Sequence, residues 1–427
     1  MLALLLLLLP AASCGKEKTP APEMIDEASF PEKEKPSAPQ ASAEDSASVS
    51  GEESAAEGMQ AESSEGSAAV PSETPEETTE PVEPSYVRLL AIGDMLMHAG
   101  ISFQLQQPDG TFNYSSLFEN IQNDLNEADL AIVNNEVIFG GDELGPIGYP
   151  SFSVPTALGD EEIRCGFDVI LGATNHTNDW GPQGIRNTLD YWEKHPEVTL
   201  LGLHRSWDDY NAVKVVERNG IRIAMLNLTY GLNIDGIPEE EGYLVELMTT
   251  ENRYQISKKL QWANENADFV IVFPHWGEEY ELTHNAVQQE WAEFFAEFGA
   301  DLIIGSHTHT IQENEWVTAW NGNTAYCVYS LGNYVSLQGM TINMPGKMPK
   351  ITLVKDAAGC RIQDVRNDYV LTWFNESLTG IRVYKMDQVT DEMISSHGVM
   401  KSIGVDFFDE MNSFYPMTRE VLESLCK

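Results

Sequence analysis

Short runs of Ile, Val, Leu and Phe, separated by longer amphipathic stretches, constrain the fold of this chain more than any other feature. The runs at 86–93, 129–134, 167–172, 198–203, 212–216, 221–227, 268–273, 301–305 and 325–330 read as strands. Many are apolar at consecutive rather than alternate positions, as in strands buried on both faces. Stretches at 115–127, 156–165, 182–194, 250–266 and 286–298 read as helices. The expected class is α/β, with a mainly parallel or mixed sheet covered by helices on both faces. Residues 341–427 read as β-hairpins around 351–373 and a terminal helix, an extension of the domain at 86–340.

This pattern begins only at Tyr86. Residues 2–9 are nearly all leucine and are followed by Pro10-Ala11-Ala12-Ser13-Cys14. A run this short does not span a bilayer and reads as the apolar part of a secretory leader, residues 1–14. The small residues before Cys14 are similar to the lipobox of a bacterial lipoprotein, although no Lys or Arg precedes the leucines and Ala11 stands where leucine is commonest. That similarity implies acylation of Cys14 and an extracytoplasmic protein anchored by lipid to the cell membrane. Residues 15–85 are Glu, Ser, Ala, Pro and Thr, with too little apolar surface to offset the entropy of ordering, and read as a disordered tether.

The tether carries 18 acidic and 4 basic residues, so −28 of the formal net charge of −42 remains on the folded part. Such a body repels nucleic acid and anionic membrane surfaces and tolerates bound cations. Beyond Cys14, Cys165, Cys327, Cys360 and Cys426 form no CxxC or Cys/His cluster, which argues against a thiolate zinc site. Cys165 and Cys327 read as buried thiols.

Chemistry gathers where strands stop. The first run ends in Gly93-Asp94 and the second in Asn134-Asn135-Glu136. The third leads into Thr174-Asn175-His176, a later one into His275-Trp276, and another into Ser306-His307-Thr308-His309. Loops at the carboxyl ends of strands in open α/β sheets converge on one crevice. Carboxylates, imidazoles and an amide meeting there suit Mn, Fe, Zn or Mg, one or two ions per chain. Taken singly, each signal has an ordinary structural explanation: a turn for Gly-Asp, a helix cap for Glu136, a hydrogen-bonded core histidine for His275. The conjunction points to metal. Four of the nine histidines fall at these strand ends, and His98 and His284 lie near enough in sequence to support them. His195 and His204 read as surface or loop residues, and His397 lies in a polar stretch.

The segments AIGDMLMH, DLAIVNNE, GFDVILGATNHTNDWG, VIVFPHWGEEY, IIGSHTHTIQ and VYSLGNYV, in this order, resemble the CapA family of bacterial capsule or poly-γ-glutamate synthesis proteins. That family's domain is related to calcineurin-like metallophosphoesterases, and the resemblance covers residues 86–335. It implies a metallophosphoesterase-like layered core with Asp94, Glu136, Asn175, His275, His307 and His309 as metal ligands. It implies His176 as the group that protonates a leaving oxygen, and Asn333 as a residue shaping the pocket. Trp276, Tyr280 and Tyr334 are expected to line the substrate groove. Three positions depart from related patterns. Leu96 stands where ordinary metallophosphoesterases have a histidine ligand, Thr174 where the family often has asparagine, and Thr308 where it often has proline.

The resemblance implies metal-assisted hydrolysis of a phosphoester in the synthesis, export or anchoring of an anionic polymer. Two rivals stand beside it: a non-catalytic metal-binding scaffold, and a metal-dependent amide hydrolase acting on γ-glutamyl or cell-wall peptide bonds. Expected partners are the membrane through the lipid anchor, membrane proteins of polymer synthesis or export, and an anionic polymer or phosphoester substrate. Nucleic acid is not expected.

Overall fold

The computed structural model describes residues 83–400 and 406–426. The expected leader with Cys14 lies outside these residues, as does the expected tether except for its last three positions. In chain order the strands are β1 (Ser85–Met95), β2 (Leu130–Asn134), β3 (Val169–Leu171), β4 (Thr199–Leu201) and β5 (Lys214–Arg218). Next come β6 (Ile221–Thr229), β7 (Phe269–His275), β8 (Leu302–Ile304), β9 (Asn314–Thr318) and β10 (Thr324–Val328). The last are β11 (Asn333–Val335), β12 (Pro345–Asp356), β13 (Gly359–Trp373) and β14 (Arg382–Lys385).

Two mixed sheets result. The first has the order β14-β13-β12-β1-β2-β3-β4, with β11 also paired to β1; the second has the order β5-β6-β7-β8-β10-β9. Strands β1 to β4 are parallel, as are β6, β7, β8 and β10, whereas the β12–β13 hairpin pairs antiparallel to β1. The hairpin turn is set by Gly359, at φ +105°, and by Ala358 N donating to Asp356 Oδ1 at 2.8 Å.

The consecutive apolar residues of the strands are explained by the layering. Leu89 and Ala91 of β1, Leu130 and Ile132 of β2, Ile223 of β6 and Ile271 of β7 share one buried cluster between the sheets. Their neighbours Leu90, Ile92, Ala131 and Val133 face a second cluster with Phe118, Leu125 and Leu158. On the far side, Ala224, Leu226, Val270 and Val272 pack on Ile256 and Leu260 of the helix Arg253–Asn266 and on Trp291 and Phe295 of the helix Ala286–Glu297. Each fully buried Leu, Ile or Phe contributes about 1.5–3 kcal/mol relative to exposure. The helix Ala286–Glu297 starts at a capping box, Asn285 accepting from Gln288 N and Gln288 returning to Asn285 N.

The α/β class with mixed sheets is therefore observed. Two local expectations are corrected, and His397, read only as part of a polar stretch, is located. Residues 115–127 form a short 3-10 turn, Ser115–Leu117, and a separate helix, Gln122–Glu127. His204 is buried and paired with Glu246 at 3.2 Å, not on the surface. His397 is fully buried against the Thr372 carbonyl, 2.8 Å from Nε2. Among the described residues, no helix is long and apolar enough to cross a membrane.

Candidate metal centre

The parallel strands β1, β2, β3, β7 and β8 end or hand over to loops at a common polar cluster between and beyond the sheets. Asp94 sits near the end of β1, in register with Asn134 on one side and Asn333 of β11 on the other. Glu136 follows β2, Asn175 and His176 follow β3, His275 closes β7, and His307 and His309 follow β8. All seven are at most 4% exposed.

Two sets of ligand atoms emerge, and they share one carboxylate. Glu136, His275 and His307 bring their atoms within 4.8 Å of one another, as do Asp94, Glu136 and His309. In the first set Asn175 Oδ1 lies 2.8 Å from His275 Nε2, which is 3.4 Å from Glu136 Oε1. In the second, His309 Nδ1 is 3.2 Å from Asp94 Oδ2 and 3.6 Å from Glu136 Oε2. Both Glu136 oxygens, His307 Nδ1 and Asn175 Nδ2 are buried without a hydrogen-bond partner. Buried polar atoms are nearly always satisfied, so the two unsatisfied Glu136 oxygens facing imidazoles fit a cation; the Asn175 amide nitrogen is a donor and takes no part in that fit. The donor set of imidazoles, carboxylates and an amide oxygen suits Mn, Fe or Zn.

Electrostatics agrees with that fit. Burial, and then the neighbouring Asp94 charge, pushes the Glu136 carboxyl well above the usual range. Burial followed by the charges of His309 and His176 holds His307 well below its ordinary value, and His275 is lowered likewise, with His307 adding to the effect. Both rings are then neutral, the state that binds metal. His309 is different: burial opposes its charge, but the hydrogen bond and charge of Asp94 outweigh burial and raise it.

The backbone is bent hard to achieve this. His307 and His309 have φ of 98° and 58°, in the left-handed region that non-glycine residues rarely occupy. The bend lets His307 N donate to Asp94 Oδ2 at 3.3 Å. Such strain persists where surrounding contacts over-determine it, and it clusters at functional sites.

His176 lies beside the ligands. Its Nδ1 is 2.8 Å from Asp179 Oδ2, and its ring meets Phe152 edge-on at 4.7 Å between centroids. Asp179 also accepts from Phe152 N at 2.7 Å, which fixes the carboxylate that orients the ring. Four supporting residues had no role of their own in the sequence reading. They are Asp179, Asn134 (donating to Asp94 Oδ1 at 2.8 Å), Ser306 (2.9 Å from His275 Nδ1) and Tyr230 (its ring 4.6 Å from His307). Asp179 follows His176 by three positions and Ser306 immediately precedes His307, so both were within reach of a motif reading; Tyr230 carried no local signal.

The expected groove residues divide. Tyr280, at φ 73°, lies 6.1 Å from the His309 ring, and Asn333 Oδ1 is 3.1 Å from His309 Nδ1. Trp276 is instead packed in the core of the second sheet, its indole N–H donating to the Tyr329 carbonyl at 2.8 Å. Tyr334 is buried in the cluster outside the first sheet, its hydroxyl donating to the Leu117 carbonyl at 2.7 Å. Both rings maximise buried area and still satisfy their one polar atom, which outcompetes a place in the groove. His98 is no ligand: its ring packs edge-on against Phe152 at 5.2 Å, Leu337 N donates to its Nδ1 at 3.3 Å, and burial lowers it to about 4. His284 stacks on Tyr329 and pairs with Glu313, away from the ligands. Leu96 is buried in the apolar cluster outside the first sheet.

A family model described as bacterial capsule synthesis protein PGA_cap matches residues 88–338, more than half of the chain. The capsule biosynthesis protein CapA of Bacillus anthracis is 31% identical over 179 residues, 42% of this chain and 42% of that protein. The PGA biosynthesis protein CapA of Bacillus subtilis (strain 168) is 30% identical over 202 residues, 45% of this chain and 49% of that protein. The chain thus spans less than half the length of either relative. Among solved structures, a novel phosphatase from Mycoplasma pneumoniae is similar with a TM-score of 0.41 and 15% identity, covering 68% of this chain and 95% of that one. A 5'-nucleotidase from Candida albicans SC5314 has a TM-score of 0.39 and 12% identity, covering 79% of this chain and 58% of that one.

Proposed function

Because the chain belongs to the bacterial capsule synthesis protein PGA_cap family, we propose that it is a metal-dependent hydrolase of the phosphoester class. On this reading it serves the synthesis, export or anchoring of an anionic polymer such as poly-γ-glutamate. An acylated Cys14 and the acidic segment after it hold it at the outer face of the cell membrane, within reach of membrane proteins of polymer synthesis or export.

One observation carries the catalytic part. Two buried ligand sets meet at Glu136, whose oxygens have no hydrogen-bond donor, directly beside an oriented histidine. Divalent cations bound there would supply Lewis acidity toward a phosphoryl oxygen and lower the pKa of water. Glu136, Asn175, His275 and His307 would hold one, and Asp94, Glu136 and His309 the other. Ser306 fixes the His275 ring through Nδ1 and leaves Nε2 facing the site. Asp179 accepts from His176 Nδ1 and turns Nε2 to the site; in the doubly protonated ring, whose charge Asp179 would balance, the Nε2 proton would pass to the leaving oxygen. Tyr230 and Tyr280 flank the His307 and His309 rings, 4.6 and 6.1 Å between centroids.

The second reading, a metal-binding scaffold without turnover, draws on Leu96, which puts an apolar side chain where a ligand is expected. Metal content of the purified chain, paired with turnover of a generic phosphodiester in added Mn2+, separates the two. Hydrolysis lost in His176→Ala with metal retained supports the enzyme. Bound metal with no turnover in the parent chain leaves the scaffold. Neither metal nor turnover removes both.

A further inference from the structure

Each ligand set offers three carboxylate or imidazole groups, and the second lacks the further imidazole expected at position 96, where Leu96 is packed into the core. An amide closes the first set: Asn175 Oδ1, 2.8 Å from His275 Nε2. Asn333 stands in the matching place in the second. Its Oδ1 is 3.1 Å from His309 Nδ1, the atom that also faces Asp94 Oδ2 at 3.2 Å and Glu136 Oε2 at 3.6 Å. Three acceptor oxygens, two of them from carboxyl groups, converge on one ring nitrogen. A single N–H cannot satisfy three acceptors with good geometry, whereas a cation can bind all three and the nitrogen.

The orientation of the Asn333 amide is fixed independently. Its Nδ2 donates toward Ser336 Oγ at 3.1 Å, Gln338 Oε1 at 2.7 Å and the Asn343 carbonyl at 3.2 Å. Reversing the amide would set its oxygen against that carbonyl, so Oδ1 is the atom turned to the site. Asn343 Nδ2 in turn donates to the His309 carbonyl at 3.0 Å, locking the two segments together. The fold places Asn333 there deliberately close: β11 runs parallel to β1 with Asn333 opposite Asp94, and Asp94 N donates to Gly332 O at 3.0 Å. Only glycine permits this approach, since a Cβ on Gly93 would stand 1.9 Å from Gly332 O.

We infer that Asn333 is a direct oxygen ligand of the second cation position and replaces the imidazole missing at Leu96. This rests on reading the cluster as a metal centre. Each position then has four protein donors around the shared Glu136. One is Glu136, Asn175, His275 and His307, with two nitrogens; the other is Glu136, Asp94, His309 and Asn333, with one. The oxygen-rich position selects a harder cation such as Mn2+ or Mg2+, and the nitrogen-rich position a softer one such as Zn2+.

The test is calorimetric titration of the chelator-stripped chain with Mn2+, checked by metal content per chain and by thermal melting of the metal-free proteins. The parent chain is expected to bind two ions. Asn333→Ala should lose the second, or bind it about 10- to 100-fold more weakly, with the first unchanged. His307→Ala should weaken the first instead. Asn333→Asp keeps the oxygen and adds charge, so it should tighten the second position; it also serves if Asn333→Ala does not fold. Two sites of parental affinity in Asn333→Ala, or no tightening in Asn333→Asp, overturn the assignment. A parent chain that binds no ion overturns the metal-centre reading itself, a result distinct from failure of Asn333 alone.

Discussion

Glu162 offers a stability test that is independent of metal. It lies on the helix Ala157–Cys165, is fully buried, and accepts from Asn135 Nδ2 at 3.1 Å, while its other oxygen has no partner. Burial pushes its carboxyl from 4.5 up to about 8, and the Asn135 bond only partly offsets this. The folded chain therefore keeps Glu162 neutral through a range in which the unfolded chain ionises it. The associated stability is complete below the unfolded value near 4.5 and is lost as pH rises to about 8. At 1.36 kcal/mol per unit, raising the pH from 5 to 8 should remove about 3 kcal/mol through this group alone. Glu162→Gln retains an amide oxygen for Asn135 and cannot ionise. Urea unfolding of both proteins at pH 5 and pH 8, with chelator present, should show the variant losing about 3 kcal/mol less than the parent across that interval. Equal losses in the two proteins would refute the claim that Glu162 is held neutral.

Other expectations follow from packing and charge. In Gly305→Ala the new Cβ would stand 2.1 Å from Tyr329 O and 2.3 Å from Trp276 Nε1, so denaturant unfolding should show a loss of about 3 kcal/mol or more. Trp276→Ala should cost about 3–5 kcal/mol in the same assay, yet the protein that remains folded should keep its metal stoichiometry, because Trp276 belongs to the core and not to the groove. Asp124 is shared by Lys350 and Lys385, and Asp124→Ala should destabilise by about 1 kcal/mol at low salt. Added NaCl should shrink that difference by screening the two lysines from each other, and an unchanged cost in high salt would count against the charge account.

Much of the site is readable from local sequence because the chemistry of this architecture falls where strands stop. A run that must be apolar on both faces can change to Asp, Asn, Glu or His only where it leaves the core, as at Asp94, Glu136, Asn175, His275 and His307. Those positions are legible as the polar ends of apolar runs, whereas the gap at Leu96 shows only through the resemblance to ordinary metallophosphoesterases. What the sequence could not supply is which distant segments meet. Asn333 lies beside Asp94 only because β11 pairs with β1 at a point where Gly93 admits its backbone. His204 and His397 are buried because their partners arrive from 42 and 25 residues away. Trp276 and Tyr334 sit next to site motifs in sequence yet point into apolar clusters on the outer faces of the sheets. Residue type and strand period are local properties and were legible in the sequence. Burial, register and the pairing of two loops around one imidazole depend on contacts across the whole domain, and only the tertiary structure decided them.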